Sequence, residues 1–213
     1  MKRLINYFFL LNVILGSNLN EFPQNSFNLG RWNGGSASTS IYQHLNPASL
    51  PLQNIMSISH IKIPENISIQ NIFITQNFKN YLIKINTTIL DYGELEDFVT
   101  DKKFNAKDLQ LELSVKSTFQ EILSLGVQLN YNNKTIDNYS INQLNTKIGF
   151  RTHLLENRLG VGLVLNHLLE SNNLKNELIA LIGVNYKPIY FPGEFSIDVN
   201  SGMKNKFILS MLI

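Results

Sequence analysis

Two stretches, Asp108–Lys116 (DLQLELSVK) and Leu123–Tyr131 (LSLGVQLNY), decide the fold. In the first, Leu109, Leu111, Leu113 and Val115 fall on one face, and Asp108, Gln110, Glu112, Ser114 and Lys116 fall on the other. In the second, Leu123, Leu125, Val127, Leu129 and Tyr131 oppose Ser124, Gly126, Gln128 and Asn130. Strict alternation is the mark of a β-strand, because successive side chains of an extended chain point to opposite faces. Helical spacing would group residues three and four apart, and neither stretch does so.

The same period continues outward in both directions. Leu159, Val161, Leu163 and Leu165 alternate with Gly160, Gly162, Val164 and Asn166. Leu178, Ala180, Ile182, Val184 and Tyr186 repeat it, as do Phe195, Ile197 and Val199 against Glu194, Ser196, Asp198 and Asn200. The chain ends on Phe207, Leu209, Met211 and Ile213 in the apolar phase. About ten such segments follow residue 55, each of about 8–12 residues, near the length a tilted strand needs to cross a bilayer. Turn-forming residues separate them: Asn132-Asn133-Lys134, Glu156-Asn157, Ser171-Asn172-Asn173, Pro192-Gly193 and Ser201-Gly202.

Alternation alone fits two architectures. A soluble β-domain buries its apolar face, whereas a membrane barrel turns that face to lipid and the polar face to a lumen. Hydrophobic residues make up 44% of the 213 residues and charged ones only 16%. Mean hydropathy is nevertheless near zero, which suits a chain with only alternate residues in lipid. Aromatics near strand ends (Tyr81, Tyr131, Phe150, Tyr186, Tyr190 and Phe191) would form interfacial girdles, although soluble sheets carry such residues too. The N-terminus weighs on the membrane side. Lys2 and Arg3 precede a short apolar core, Tyr7–Gly16 (YFFLLNVILG), and small residues Gly16 and Ser17 follow. This is the order of regions in a secretory signal peptide. The core is shorter than the roughly 20 apolar residues of a spanning helix.

The reading is therefore an all-β, antiparallel up-and-down outer-membrane β-barrel of about ten strands. Residues 1–17 form the signal peptide, 18–54 an N-terminal segment, and 55–213 the barrel. Its terminal strand, Phe207–Ile213, is expected to close the barrel by pairing within about residues 55–80. The apolar phase, including Leu111, Leu125, Val127, Leu163 and Ile182, is expected to face lipid. Lys84, Asp108, Glu112, Lys116, Lys147, Arg151, Glu194 and Asp198 share the opposite phase and are expected to line the lumen. Charges facing lipid at mid-depth cost a few kcal/mol each, so this phasing agrees with a barrel.

Little in the chain points to chemistry. With no cysteine, a disulfide framework, a Cys-based zinc site and a thiol nucleophile are excluded. His44, His60, His153 and His167 show no metal-ligand spacing. Gly30–Gly35 does not match the dinucleotide-binding glycine pattern, and no G-x-S-x-G elbow exists. A net charge of +2 with no Lys/Arg cluster gives nucleic acid no footprint. No metal or cofactor site emerges, and the expectation is of a chain that is not an enzyme.

Several segments together resemble the PorV/PorQ family of outer-membrane barrels, which is similar to FadL-type transport barrels. Gly30–Leu50 (GRWNGGSASTSIYQHLNPASL) looks like that family's opening pattern, with Gly34, Gly35, Ser36 and Ala37 followed by Asn46, Pro47, Ala48 and Leu50. Asp91-Tyr92-Gly93 resembles its apolar strand ending in a Tyr-Gly turn, and Phe104–Asp108 the stretch before its next strand. Val127–Tyr139 and Gly160–Asn166 (GVGLVLN) resemble further strands of the PorQ-like branch. Gln43 and His44 stand where acidic residues are usual, and members are usually longer. The resemblance implies an accessory component of type IX secretion that acts by protein–protein contact with other secretion components. It also implies a hatch-like N-terminal segment inside the barrel, built around Gly34, Gly35, Asn46, Pro47 and Ala48. The alternative it leaves open is a FadL-like passive channel for hydrophobic small molecules.

The signal segment joined to period-two strands predicts that the mature protein fractionates with the outer membrane and needs detergent for extraction. Recovery from the soluble periplasmic fraction would refute this.

Overall fold

In the computed structural model the described residues are 36–37, 45–63, 66–97, 102–120, 122–155, 158–170, 176–191, 193–201 and 206–212. The expected signal peptide, and Gly34 and Gly35, lie outside them. Ten strands follow one another: β1 (Ile55–Lys62), β2 (Ser68–Phe78), β3 (Tyr81–Asp97), β4 (Lys102–Phe119), β5 (Leu123–Ile136), β6 (Tyr139–Leu154), β7 (Leu159–Glu170), β8 (Asn176–Tyr186), β9 (Glu194–Asn200) and β10 (Lys206–Leu212). Each pairs antiparallel with its chain neighbours, so the sheet order is the sequence order. This all-β meander is the up-and-down arrangement expected from the sequence.

The faces of the sheet are inverted relative to a soluble domain. Gln110, Glu112, Ser114, Gln128, Asn130, Asn145 and Lys147 are buried. Leu111, Leu113, Val115, Leu125, Val127, Leu129, Ile148 and Ile182 are exposed. A water-soluble sheet could not hold this arrangement, since it would set apolar area in water and polar area in a core. In a bilayer the exposed leucines and valines meet acyl chains. On β5 the apolar run Leu123–Tyr131 ends where Asn133 and Thr135 continue the same phase. At about 3.3 Å per residue and a tilt of about 40°, that run covers a height of about 23 Å, close to the apolar band of outer-membrane barrels.

Three sequence expectations are corrected. Asn132-Asn133-Lys134 is not a turn: β5 passes straight through it, paired with Gln143, Asn142 and Ile141 of β6. The chain reverses at Asp137, whose φ of 51° is left-handed. The asparagines form a polar upper wall above the apolar belt. Nor does β3 end in a turn at Tyr92-Gly93. The register shifts between Asp91 and Glu94, and pairing with β4 resumes through Asp97. Gly93, at φ 72°, forms a bulge there, with its N–H donating to Asp91 Oδ1 at 2.9 Å. Finally, the expected closing ladder is not present among the described residues. β10 pairs with β9, β1 pairs with β2, and no ladder joins β1 to β10.

The inner face is not polar throughout. Ile69, Leu90, Tyr92 and Ala106 form a buried apolar cluster, with Ile61 of β1 and Ile63 and Ile67 of the β1–β2 connection packed on it. They lie on the β1–β2 turn side of the sheet, opposite the turns at Lys79 and Gln120.

The lipid-belt assignment predicts a depth dependence. Val127→Arg, at the middle of the belt, should lower stability in bilayers by about 2–4 kcal/mol, and Asn133→Arg, above it, by about 0–1 kcal/mol. Denaturant titration of the refolded variants in vesicles measures both. Equal costs at the two positions would remove the belt.

Candidate functional site: a chain segment seated on the inner face

The inner wall holds a piece of the chain's own N-terminal region. Pro47–Ser49 forms a single 3-10 turn capped by Asn46, whose side-chain oxygen accepts from Ala48 N–H at 2.9 Å. Proline at the first helical position suits such a start, because its missing N–H would lack a partner there. Asn46 also ties the turn to its surroundings. Its amide nitrogen donates to the Ser36 carbonyl at 3.0 Å and to the Phe150 carbonyl of β6 at 3.1 Å. Ser49 Oγ donates to the same Ser36 carbonyl at 2.8 Å. Ser36, Ala37, Asn46, Ala48, Ser49 and Leu50 are all buried.

Glycines in the wall make room for this segment. Gly126 and Gly149 are cross-strand partners on β5 and β6, and Gly162 and Gly183 are partners on β7 and β8. A Cβ on Gly126 would stand 2.5 Å from Ala48 N and 2.7 Å from the Pro47 carbonyl oxygen. One on Gly149 would stand 2.8 Å from Pro47 Cδ, and one on Gly162 would stand 2.9 Å from the Ser36 carbonyl oxygen. One on Gly183 would collide with Ser36 Oγ and Asp198 Oδ1. At Gly126, Gly149 and Gly162 a side chain is missing from the wall where a backbone lies against it, which is the usual reason for glycine inside a strand.

Charged residues then hold the segment by its backbone. Lys116 of β4 donates to the Leu50 carbonyl. Arg151 Nε of β6 donates to the Ala37 carbonyl at 2.5 Å. Asp198 of β9 accepts from Ser36 N–H at 2.9 Å and from Ser36 Oγ. One short segment thus touches strands from β4 to β9, so the sheet curls around it. A charged group paired with a backbone dipole is among the stronger hydrogen bonds, and the low dielectric of the interior reinforces it.

All eight charges singled out from the sequence lie on this buried face, but they do different things. Lys84 and Glu112 form an ion pair at 3.0 Å. Glu112 also accepts from Asn86 at 3.3 Å and from Ser114 at 3.0 Å, so its oxygens are well served. Asp108 accepts from Tyr92 Oη at 3.2 Å. Glu194 pairs with Lys187 at 3.2 Å, at the β8–β9 turn. Lys147 of β6 is buried as well. Only Lys116, Arg151 and Asp198 reach the N-terminal segment in the hydrogen bonds above. The glycines that seat it were missed by reasoning from sequence. Their signal was there, since Gly126, Gly149, Gly162 and Gly183 all fall in the polar phase of otherwise well-formed strands.

A curled antiparallel meander with an apolar exterior and a polar interior defines the class: this is an outer-membrane β-barrel fold. The structural likeness points the same way. A loop L8 deletion mutant of OmpT, an outer membrane protein of Vibrio cholerae, aligns with a TM-score of 0.50 at 12% identity, over 68% of this chain and 53% of that one. The in-vitro folded trimer form of OmpT aligns with a TM-score of 0.49 at 10% identity, over 66% of this chain and 51% of that one. The chain spans about half the length of these solved proteins. No protein-family model matches it, and no curated protein matches it significantly. The likeness is one of fold alone.

It also corrects one expectation, that the chain is not an enzyme. The likeness to the solved OmpT deletion mutant is one of fold, and a barrel wall of this kind does not decide enzymatic status, which resides in particular side chains grafted on the fold. The non-enzymatic reading is withdrawn.

Asp198→Ala should leave the Ser36 N–H without its acceptor, a loss of about 1–3 kcal/mol for a buried group. Gly126→Leu should force the 3-10 turn off the wall. Both variants should speed amide hydrogen exchange at Ser36 and Ala48 in the folded protein, relative to the unaltered chain. Unchanged exchange in both would detach the segment from the wall.

Proposed function

We infer that this chain is a hatch-bearing outer-membrane barrel of the PorV/PorQ kind, serving type IX protein secretion as an accessory component through protein–protein contact. Residues 1–17 direct its export, residues 18–54 form the hatch, and residues 55–213 form the barrel wall. The observation that carries the reading is the seating of Ser36–Ala37 and Asn46–Leu50 on the inner face by Lys116, Arg151 and Asp198. Asn46, Pro47 and Ala48, central to the resemblance, are the residues that sit over Gly126 and Gly149. A barrel that keeps its own chain in its lumen is suited to contact at its rims and not to free diffusion through its middle.

The polar inner wall also weighs between the two readings. A FadL-like passage for a hydrophobic solute calls for an apolar lining, whereas the wall here carries Gln110, Glu112, Gln128, Asn130, Asn145 and Lys147. An apolar solute passing them would gain nothing from burial and would strip water from polar groups. The partners of this reading are the surrounding outer-membrane lipid and other type IX secretion components.

Deleting the gene in a host that uses type IX secretion should abolish or strongly reduce surface attachment of exported proteins. The tagged barrel should co-purify with other secretion components from detergent extracts. Normal surface attachment, together with impaired uptake of a long-chain fatty acid, would replace this reading with the channel.

A further inference from the structure

Above the apolar belt, the outer face of β3, β4 and β5 carries a groove of about 540 Å³. Its lower edge is formed by Ile89 and Leu109, cross-strand partners in the outward phase. That phase continues below them through Ile85, Leu111 and Leu113, all exposed, so the groove opens onto the lipid belt. Its sides are polar. Asn133 stands opposite Leu109 and Thr135 opposite Lys107, with Asn105 and Lys103 higher on β4. An apolar floor with a few converging polar groups is the usual make-up of a small-molecule site.

A bulge shapes the groove. Asp91 pairs with Lys107 and Glu94 with Asn105, so β3 uses one residue more than β4 over this step. Strict alternation would turn Glu94 inward. The extra residue at Gly93 resets the phase and keeps Asp91 and Glu94 on the same outer face. There each carboxylate meets a lysine, Asp91 with Lys107 at 3.1 Å and Glu94 with Lys103 at 2.6 Å. The opposite wall is held by a chain of hydrogen bonds. Thr135 Oγ1 donates to Asn133 Oδ1 at 3.0 Å, and Asn133 Nδ2 donates to Asn142 Oδ1 at 2.7 Å. Tyr131 Oη donates to the same Asn142 oxygen at 2.8 Å.

The balance of charge selects the ligand. Both groove lysines already have a carboxylate beside them, and Asp137 adds another at the rim. A phosphate entering here would meet repulsion from these carboxylates as well as attraction from the lysines. A neutral polyol meets no such repulsion. An ammonium has three protons and a carboxylate about four lone-pair sites, so each ion pair keeps capacity for hydroxyl groups. The amides of Asn105 and Asn133 offer both donors and acceptors in the same groove.

We propose that this groove is a glycolipid site, holding the neutral sugar headgroup of a membrane lipid whose acyl chains run over Ile89 and Leu109 onto the belt. Asn105, Thr135 and the two ion pairs meet the sugar hydroxyls. The floor's continuity with the belt favours a lipid-linked sugar over a free one, because the acyl chains and the headgroup are then held together. The site rests on the outer-membrane barrel fold and not on the secretion role.

The test uses the full chain with its single tryptophan removed, Trp32→Phe. Leu111→Trp reports from just below the groove, and Ile182→Trp reports from β8, away from it. Each variant is refolded into phosphatidylcholine vesicles containing a small fraction of a diacylglycerol that bears a neutral disaccharide and brominated acyl chains. Parallel vesicles carry the same fraction of brominated phosphatidylcholine or brominated phosphatidylglycerol. Dividing the quenching by the sugar lipid by that of phosphatidylcholine removes the effect of depth. This ratio should be at least about twofold higher for Leu111→Trp than for Ile182→Trp, the mark of a bound lipid with a modest preference. Asn105→Leu combined with Thr135→Val should abolish the difference. Equal ratios at the two reporters overturn the site, and enrichment that survives the double variant overturns the groove as its seat. Enrichment of phosphatidylglycerol equal to that of the sugar lipid overturns the sugar and makes the ligand an anion.

Discussion

The structure depends on one constraint: a backbone that enters hydrocarbon must pair every N–H and C=O within the protein, because no solvent is there to do it. Successive antiparallel ladders meet this demand between neighbours from β1 to β10. Once the backbone is committed to extended pairing, side chains alternate by geometry, and the sheet acquires two faces of opposite character. The apolar face then belongs outside. Leu111, Val127 and Ile182 would be a liability in water and are at no disadvantage against acyl chains.

The same constraint raises the stakes on the inner face. Polar and charged groups held there lose bulk water and must find partners. They do so in two ways. Lys84, Glu112, Asn86 and Ser114 satisfy one another across β3 and β4. Lys116, Arg151 and Asp198 instead take backbone groups of the N-terminal segment. A buried charge coupled to a backbone dipole does not need an opposite charge, and so a plain peptide segment can serve as the counterpart of both cations and an anion. The glycines of β5 to β8 complete the arrangement by letting the segment approach within van der Waals range.

Some of this was legible from the residues. Asp108–Lys116 and Leu123–Tyr131 carry the strand period, and the inward phase of all eight singled-out charges follows from counting by two. The ends of the strands were not legible. Asn132-Asn133-Lys134 has the composition of a turn, and Tyr92-Gly93 has the residue types of one, yet both lie within strands. Local preference at these sites is weak, on the order of 1 kcal/mol. The ladders with β6 and β4 outweigh it by pairing many residues at once. Closure was likewise beyond the sequence, since an apolar C-terminal phase says which way side chains point but not which edge receives them.

By itself, then, the sequence determined the class of secondary structure, the number of strands and which side chains share a face. These are properties of one chain direction and a two-residue repeat, and neighbours along the chain suffice to specify them. The tertiary structure decided what lies against the inner face. Gly126, Gly149, Gly162 and Gly183 are far from Ser36 and Asn46 in sequence, and their absent side chains acquire meaning only when the curled sheet brings the segment onto them. That contact is set by long-range packing and charge, for which the chain carries no local code.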